Sequence, residues 1–398
     1  MRKTNLKRKL EQYAYDSVWT PVALGAGSCA AWWLTRPLLG DDLLFVCDYE
    51  ARGGTPCGLP GQMAAVFTGC NARTGDLLNT VWLAMLPRWL TAMIAGVLVV
   101  LTAWSMFRLA GLQRRDILPR AVMTACIAWM LPWYDMTHFV CFYNYAWGWA
   151  LSTAMLVPLL CTRMRSRLWM LLLPAVFCAA ATHEALGVPL ACGLGVWLAT
   201  TGSWHKMHTA ERWWTTAIIA GGIFTLCSPA PYSRLGSGNE PDAPLWMLLF
   251  YTVPAVVILC IAVIFTPARR ILRLRRSPWV IYLTAAVVSS LFVAVGGIEG
   301  RAGWFAQGFA LLAIFLMRRR HICSHSAWSY IAAITINTAV CGWTAVQTDE
   351  CLITNQKLAH AVEIYSEDPV QAASILESMH ADPWDIESLP ALKTGRRP

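Results

Sequence analysis

Two adjacent carboxylates, Asp41 and Asp42, are the residues of this sequence whose types and spacing best suit chemistry. They follow Gly40 shortly after a long apolar segment, which places them at the end of a predicted membrane helix. A carboxylate there can act as a general base toward a hydroxyl group or hold a divalent cation. The structural alternative is a helix cap, because aspartate is favoured where a helix begins.

His183 and Glu184 form a second pair of ionisable neighbours, at the turn between two apolar segments. We assign both to the catalytic set. The alternative is a hydrogen bond between helices at a tight turn. Arg234 and Arg301 are candidates for binding phosphate, since a guanidinium group binds phosphate oxygens in a bidentate manner. Their alternative role is contact with lipid headgroups.

Composition indicates the environment of these groups. The chain has 398 residues, of which 57% are hydrophobic and only 14% charged, and it contains 21 tryptophans. Soluble domains carry about one quarter charged residues, and tryptophan is enriched at membrane–water boundaries. These values exclude an ordinary soluble domain and predict an integral membrane protein.

A membrane span needs roughly 20 apolar residues. The segments that fit are about 17–37, 88–112, 118–136, 144–162, 168–182, 185–203, 213–230, 244–266, 278–297, 303–317 and 326–346.

The charges predict the orientation of these eleven spans. With the N-terminus in the cytoplasm, 22 of the 32 lysines and arginines fall in inner segments, and 19 of the 23 acidic residues fall outside. This is the bias that cytoplasmic loops of membrane proteins show. The net charge of +9 therefore reflects topology and does not indicate nucleic-acid binding.

The predicted architecture is all-α, with about eleven transmembrane helices and a range of nine to twelve. Residues 1–16 form a basic cytoplasmic arm, 17–346 the transmembrane domain, and 347–398 an acidic tail outside. The large first outer loop, 38–87, carries the acidic pair and three cysteines. One disulfide among these cysteines and Cys351 is an open alternative in an oxidising compartment.

With this topology, every short polar cluster falls on the outer side. The set includes the residues named above and also Asn71, Arg73, Asn144, Tyr145, Asp135 and His138. Ionisable groups near a membrane are costly and usually mark sites or pathways. Carboxylates, arginines and aromatic rings together suit a sugar donor linked to a lipid phosphate. For Asn71 and Arg73 the alternative is that they satisfy backbone groups of their own loop.

The order of these motifs resembles a known class of enzymes. The motifs are Asp41-Asp42, Asn71-Ala72-Arg73, Asn144-Tyr145, His183-Glu184, Ser228-Pro229 with Arg234, and Arg301. They are similar to those of GT-C class bacterial multi-pass glycosyltransferases, in particular the enzymes that decorate O-antigen with glucose, and of an adjacent family of unknown function. The resemblance covers about residues 36–305. It departs at Ser228-Pro229-Ala230-Pro231, where Pro-Gly-Asn is expected before the arginine.

The resemblance implies hexosyl transfer from a polyprenyl-phosphate sugar to a cell-envelope glycan or lipid, at the outer face of the bacterial inner membrane. It implies catalytic roles for Asp41, Asp42, His183 and Glu184, and substrate contacts for Asn71, Arg73, Asn144, Tyr145, Arg234 and Arg301. No residue spacing requires a metal, although a divalent cation at the carboxylates stays open. The alternatives are an oligosaccharide polymerase or ligase that uses diphosphate donors, and a lipid or sugar flippase.

Overall fold

A computed structural model describes residues 2–130, 138–162, 164, 166–228, 253–295, 303–322, 326–379 and 383–390. The predicted all-α class is confirmed, since these residues contain helices and no strand. The α-helices are α1 Arg2–Ser17, α2 Trp19–Thr35, α3 Asp41–Ala51, α4 Leu59–Gly69, α5 Thr74–Leu77, α6 Arg88–Leu109, α7 Ile117–Met130, α8 Phe139–Phe142, α9 Gly148–Cys161, α10 Leu173–Ala180, α11 Glu184–Thr201, α12 Thr209–Phe224, α13 Pro254–Ile264, α14 Ala268–Leu274, α15 Trp279–Val295, α16 Trp304–Ile322, α17 Ala327–Ile364, α18 Pro369–Ser378 and α19 Pro383–Ser388.

Shorter helical turns connect several of these elements. Two are π-helical, Val81–Met85 and Tyr143–Trp147, and the second joins α8 to α9 without a break. Three are 3-10 turns, Pro56–Gly58, Arg167–Leu172 and Ser203–Lys206. Turns of the π type occur often at functional sites. Both π turns adjoin the polar clusters described below.

Helix α17 is the longest element and runs beside α1 and α2. Hydrogen bonds join Asn337 to Ser17, Thr348 to Ser28 and Asn355 to Thr35, and each pair is separated by 320 residues. A constant offset over this length means that the helices are parallel and in register. With 38 residues, α17 is about 57 Å long at 1.5 Å per residue. Its last turns therefore extend well past the end of α2.

The predicted count of eleven membrane spans is not confirmed. Among the described residues, three helices are long and apolar enough to cross a membrane: α6, α11 and α17. A fourth span results if α13 and α14, which meet at 120°, are counted together. Several of the other apolar segments contain shorter helices, such as α7 with 14 residues. At about 21 Å, α7 is shorter than a hydrocarbon core of about 30 Å.

The chain after α2 returns to the bundle through short helices. A helix begins at the acidic pair: α3 starts at Asp41, and aspartate is favoured near a helix start. Gly53 and Gly54 then turn the chain with φ values of 99° and 60°, a region in which glycine is favoured. Cys57 follows as an exposed thiol that forms no disulfide within the part of the chain described here. The predicted tail boundary at 346 lies within α17, which continues without interruption into the acidic segment.

Candidate functional site

The two adjacent aspartates differ in burial. Asp42 is fully buried, and its carboxylate accepts hydrogen bonds from the backbone N–H groups of Phe139 at 2.9 Å and Val140 at 2.8 Å. Asp41 is exposed. Successive helical residues are about 100° apart around the axis, so one member of an adjacent pair can face inward while the other faces out. Asp42 therefore caps the start of α8, and Asp41 is the accessible carboxylate.

Burial raises the pKa of the Asp42 carboxyl to about 7. The two backbone N–H groups and the nearby Arg36 oppose this rise, while the negative charge of Asp41 adds to it. The effect of burial on the pKa is the larger one, because the buried carboxylate loses more hydration than the hydrogen bonds and Arg36 replace. Asp42 thus titrates near neutral pH, and its ionisation changes the charge beside Asp41.

Cations surround Asp42. Arg36 is 2% exposed, and its Nη2 lies 3.2 Å from His138 Nδ1. Arg88 donates through Nε to the carbonyl of Trp33 at 3.0 Å, and its charge attracts that of Asp42. His138 belongs to the predicted outer polar set, whereas Arg36 and Arg88 do not. Arg36 and Arg88 lie at helix ends, where arginine in a membrane protein usually contacts headgroups, so their types alone give no signal of a site.

An acidic side chain from the far end of the chain also lies at this position. Asp385 Oδ2 lies 3.6 Å from Arg36 Nη2 and 3.8 Å from His138 Nε2, and both Asp385 and Arg36 are buried. The sequence predicts only that the tail is acidic. No local pattern distinguishes Asp385 from the other eight acidic residues of the tail.

The second predicted pair, His183-Glu184, is built into the fold at the start of α11. His183 is the N-cap residue, and its Nδ1 accepts from the backbone N–H of Ala185 at 3.1 Å. Glu184 binds Arg73 in a bidentate ion pair, with Nε–Oε2 at 2.8 Å and Nη2–Oε1 at 2.5 Å. The partner of Glu184 is thus a loop arginine, where a partner on another helix was the alternative considered. The pair anchors the first loop to α11.

Asp76 organises the polar cluster around Arg73. It is 5% exposed and accepts side-chain amide hydrogen bonds from Asn71 at 2.7 Å, Asn79 at 3.0 Å and Asn144 at 2.6 Å. The predicted Asn71 also accepts from the backbone N–H of Arg73 at 3.0 Å, which agrees with its alternative role inside the loop. Asp76 and Asn79 were not predicted. A signal was available for Asp76, which lies three residues after the Asn71-Ala72-Arg73 motif in the same loop.

Residues 138–147 connect the two clusters. Asp42 binds the start of this segment, and Asn144 in its π turn binds Asp76. The ring of the next residue, Tyr145, lies 5.0 Å from that of His183. Residues 140 and 144 are separated by about 6 Å of helical rise. The two clusters are thus neighbours along one helical segment. Asn144 packs so closely against Gly75 that no side chain fits there: a Cβ at residue 75 would lie 2.1 Å from Asn144 Oδ1.

Three other predicted residues, Arg234, Arg301 and Asp135, lie outside the described residues. Ser228, which precedes the predicted arginine motif, donates to the carbonyl of Phe67 at 2.7 Å at the end of α4. Within the described ranges, no group of three or more His, Cys, Asp or Glu side chains is placed to hold a metal ion.

Comparison with known proteins adds no assignment. No protein-family model, no curated protein and no solved structure matches the chain.

Proposed function

We propose that this chain is a multi-pass membrane glycosyltransferase. It transfers a hexose from a polyprenyl-phosphate donor to a cell-envelope glycan or lipid acceptor. The observation that carries the proposal is the pairing of an exposed carboxylate, Asp41, with a buried and cation-flanked neighbour, Asp42, beside a second buried polar cluster. A buried carboxylate held by two backbone N–H groups fixes the helix start on which Asp41 stands.

In the proposed reaction, Asp41 accepts the proton of the acceptor hydroxyl group. The hydroxyl oxygen then bonds to the anomeric carbon of the sugar, and the bond from that carbon to the phosphate oxygen breaks. The electron pair of the broken bond goes to the lipid phosphate, which leaves as an anion. Arg234 and Arg301 are the proposed phosphate contacts, as the resemblance implies. Asp42, Arg36 and Arg88 set the electrostatic potential at the base.

Exposed tryptophans support the location in a membrane. On α6 one exposed apolar stripe runs from Trp89 to Trp104, and on α17 another includes Trp328 and Trp343. In both helices the tryptophans are 15 residues apart, which corresponds to about 22 Å of rise. Tryptophans anchor spans at the two interfaces of a bilayer. Two helices with the same spacing support one apolar belt of common thickness.

We further propose the orientation that the charges predict, with about eleven spans, the basic arm in the cytoplasm, and both the first loop and the tail outside. The contact between Asp385 and Arg36 supports a common side for loop and tail. Two native exposed cysteines test this. A membrane-impermeant maleimide should label Cys57 in intact spheroplasts and Cys161 only after lysis, with single serine variants identifying each site. Labelling of Cys161 alone in intact spheroplasts would reverse the orientation.

The direct test of function compares Asp41→Asn with Asp48→Asn. Asp48 lies on the same helix, is partly exposed and pairs with Arg52, so its substitution makes the same charge change away from the pair. Purified protein receives a radiolabelled hexosyl polyprenyl phosphate and envelope glycan, and labelled glycan is measured. We expect a loss of about 100-fold or more for Asp41→Asn, within the range of general-base effects, and near-normal transfer for Asp48→Asn. Equal transfer by the two variants would remove Asp41 from the mechanism.

A further inference from the structure

The end of the chain forms a small apolar core of its own, and the stretch before the acidic pair inserts into it. The core consists of residues from the end of α17, from α18 and from the segment of α19: Leu358, Ala361, Tyr365, Ala372, Leu376 and Leu389. Leu39 is the one member from elsewhere in the chain among the described residues, and it is fully buried. The tail thus packs directly on the chain two residues before Asp41.

Two polar contacts flank Leu39. On one side, Asp385 faces the buried guanidinium of Arg36 at 3.6 Å. On the other, the hydroxyl of Ser388 accepts from the backbone N–H of Gly40 at 2.8 Å and donates to the carbonyl of Asp385 at 2.9 Å. Both Asp385 and Ser388 are almost fully buried. The α19 segment therefore contacts the chain at Arg36 and at Gly40, on either side of Leu39.

Gly40 is the residue at which the direction of α3 is set. Its φ of 58° and ψ of −135° turn the chain from the non-helical residues 36–39 into the helix that begins at Asp41. A backbone N–H that is buried without an acceptor is costly, so the Ser388 hydroxyl stabilises this turn. A shift of Gly40 would rotate α3 and both aspartates with it.

We infer that Asp385 and Ser388 are positioning residues for the acidic pair. The C-terminal tail is then part of the catalytic apparatus: it holds Arg36 and Gly40, and through them it sets the direction of Asp41. Neither residue is a catalytic residue, since Asp385 acts through the Arg36 side chain and Ser388 through the backbone N–H of Gly40. The statement about catalysis rests on the proposed glycosyl transfer, whereas the statement about position does not.

The test uses the full-length protein in detergent or nanodiscs and three variants. Asp385→Asn removes the charge facing Arg36, and Ser388→Ala removes one hydroxyl. Glu387→Gln is the matched control, because Glu387 is exposed on the same short helix. Hydrogen–deuterium exchange is followed in peptides that cover residues 36–46 and 138–143.

We expect exchange in both peptides to rise about tenfold in Asp385→Asn, and in the first peptide in Ser388→Ala, with no change in Glu387→Gln. Unchanged exchange in both test variants overturns the inference, whatever reaction the protein catalyses. If Asp385→Asn is not recovered from membranes, Ser388→Ala alone decides the outcome.

The second measurement is the kinetics of hexosyl transfer per mole of folded protein. Misplacement of the base lowers kcat with little change in KM, and we expect a decrease of about tenfold in kcat for Asp385→Asn. A higher KM at unchanged kcat would make the tail a substrate-binding surface and would contradict the positioning role. If the wild-type protein shows no hexosyl transfer, the proposed function fails, and the exchange measurement still decides whether the tail positions the pair.

Discussion

Two buried carboxylates, Asp42 and Asp76, both bind the segment 138–147 but have different hydrogen-bond donors. Asp42 accepts from two backbone N–H groups at the start of α8, and its neighbour Asp41 is exposed. Asp76 accepts from three asparagine side chains, and the nearest acidic partner in its cluster, Glu184, is bound to Arg73.

We therefore interpret the Asp76 cluster as structural and the cluster around Asp42 as the candidate reaction centre. The carboxylates around Asp76 are engaged by amide or guanidinium groups, so this cluster ties the first loop to α9 and α11. The Asp42 cluster does the same for α3 and α8 but leaves one carboxylate at the surface. Substitutions at Asp76 should therefore act on stability, and substitutions at Asp41 on activity.

The largest effect on stability should come from Asp76→Ala. Three buried amide groups lose their acceptor, and at about 1 kcal/mol or more each the free energy of unfolding should fall by about 3 kcal/mol. Thermal unfolding of the purified protein, or its yield from membranes, measures this. Asp48→Ala, a partly exposed carboxylate lost from α3, should leave both values near wild type. Equal stability of the two variants would mean that Asp76 does not organise the loop.

A double-mutant cycle on Arg73 and Glu184 should show the next largest effect. Both side chains are about one quarter exposed or less and form two hydrogen bonds, so we expect a coupling energy of about 2 kcal/mol. The cycle compares unfolding of Arg73→Ala, Glu184→Ala and the double variant. A coupling energy near zero would contradict the role of this pair as an anchor between the loop and α11.

The pH dependence of stability should distinguish Asp42 from the other acidic residues. Its pKa in the folded protein is about 7, raised from an ordinary value of 3.8, so the fold prefers the protonated form. The resulting stabilisation is fully present below pH 3.8 and is lost as the pH rises to about 7. Relative to Asp42→Asn, the wild-type melting temperature should fall over this interval. If the melting temperatures of the two proteins change in parallel with pH, Asp42 has an ordinary pKa.

The smallest effect on stability should come from Asp41→Asn. Its side chain is exposed, so the free energy of unfolding should change by less than about 0.5 kcal/mol. This variant therefore separates chemistry from folding, whereas Asp42→Asn leaves one backbone N–H without its acceptor and changes both. A large loss of stability in Asp41→Asn would place it in the scaffold together with Asp42.

Hydropathy and the residue types at the ends of apolar segments predict much of the fold. The described parts of the apolar segments contain helices, and α3 begins at the acidic pair, where aspartate favours a helix start. The length of these helices was not predictable from hydropathy, because helix ends depend on local turns such as the one before α11. The eleven-span count therefore remains a proposal.

The candidate site was predictable only in part. Short motifs located Asp42, Asn71, Asn144 and Glu184, because their residue types are unusual at the ends of apolar segments. They could not show which member of an adjacent pair faces inward, since this depends on the start and rotation of the helix. Asp385 could not be found at all, because its contact with Arg36 spans 349 residues and leaves no local pattern.

If this site binds and uses a lipid-phosphate sugar, the donor should co-purify with the protein. Mass spectrometry can identify the lipids that co-purify with Asp41→Asn, wild type and Asp48→Asn. A variant that binds the donor but cannot transfer the sugar should retain it. We therefore predict a hexosyl polyprenyl phosphate enriched on Asp41→Asn over both other proteins. The same membrane phospholipids on all three, with no polyprenyl phosphate species, would contradict the account.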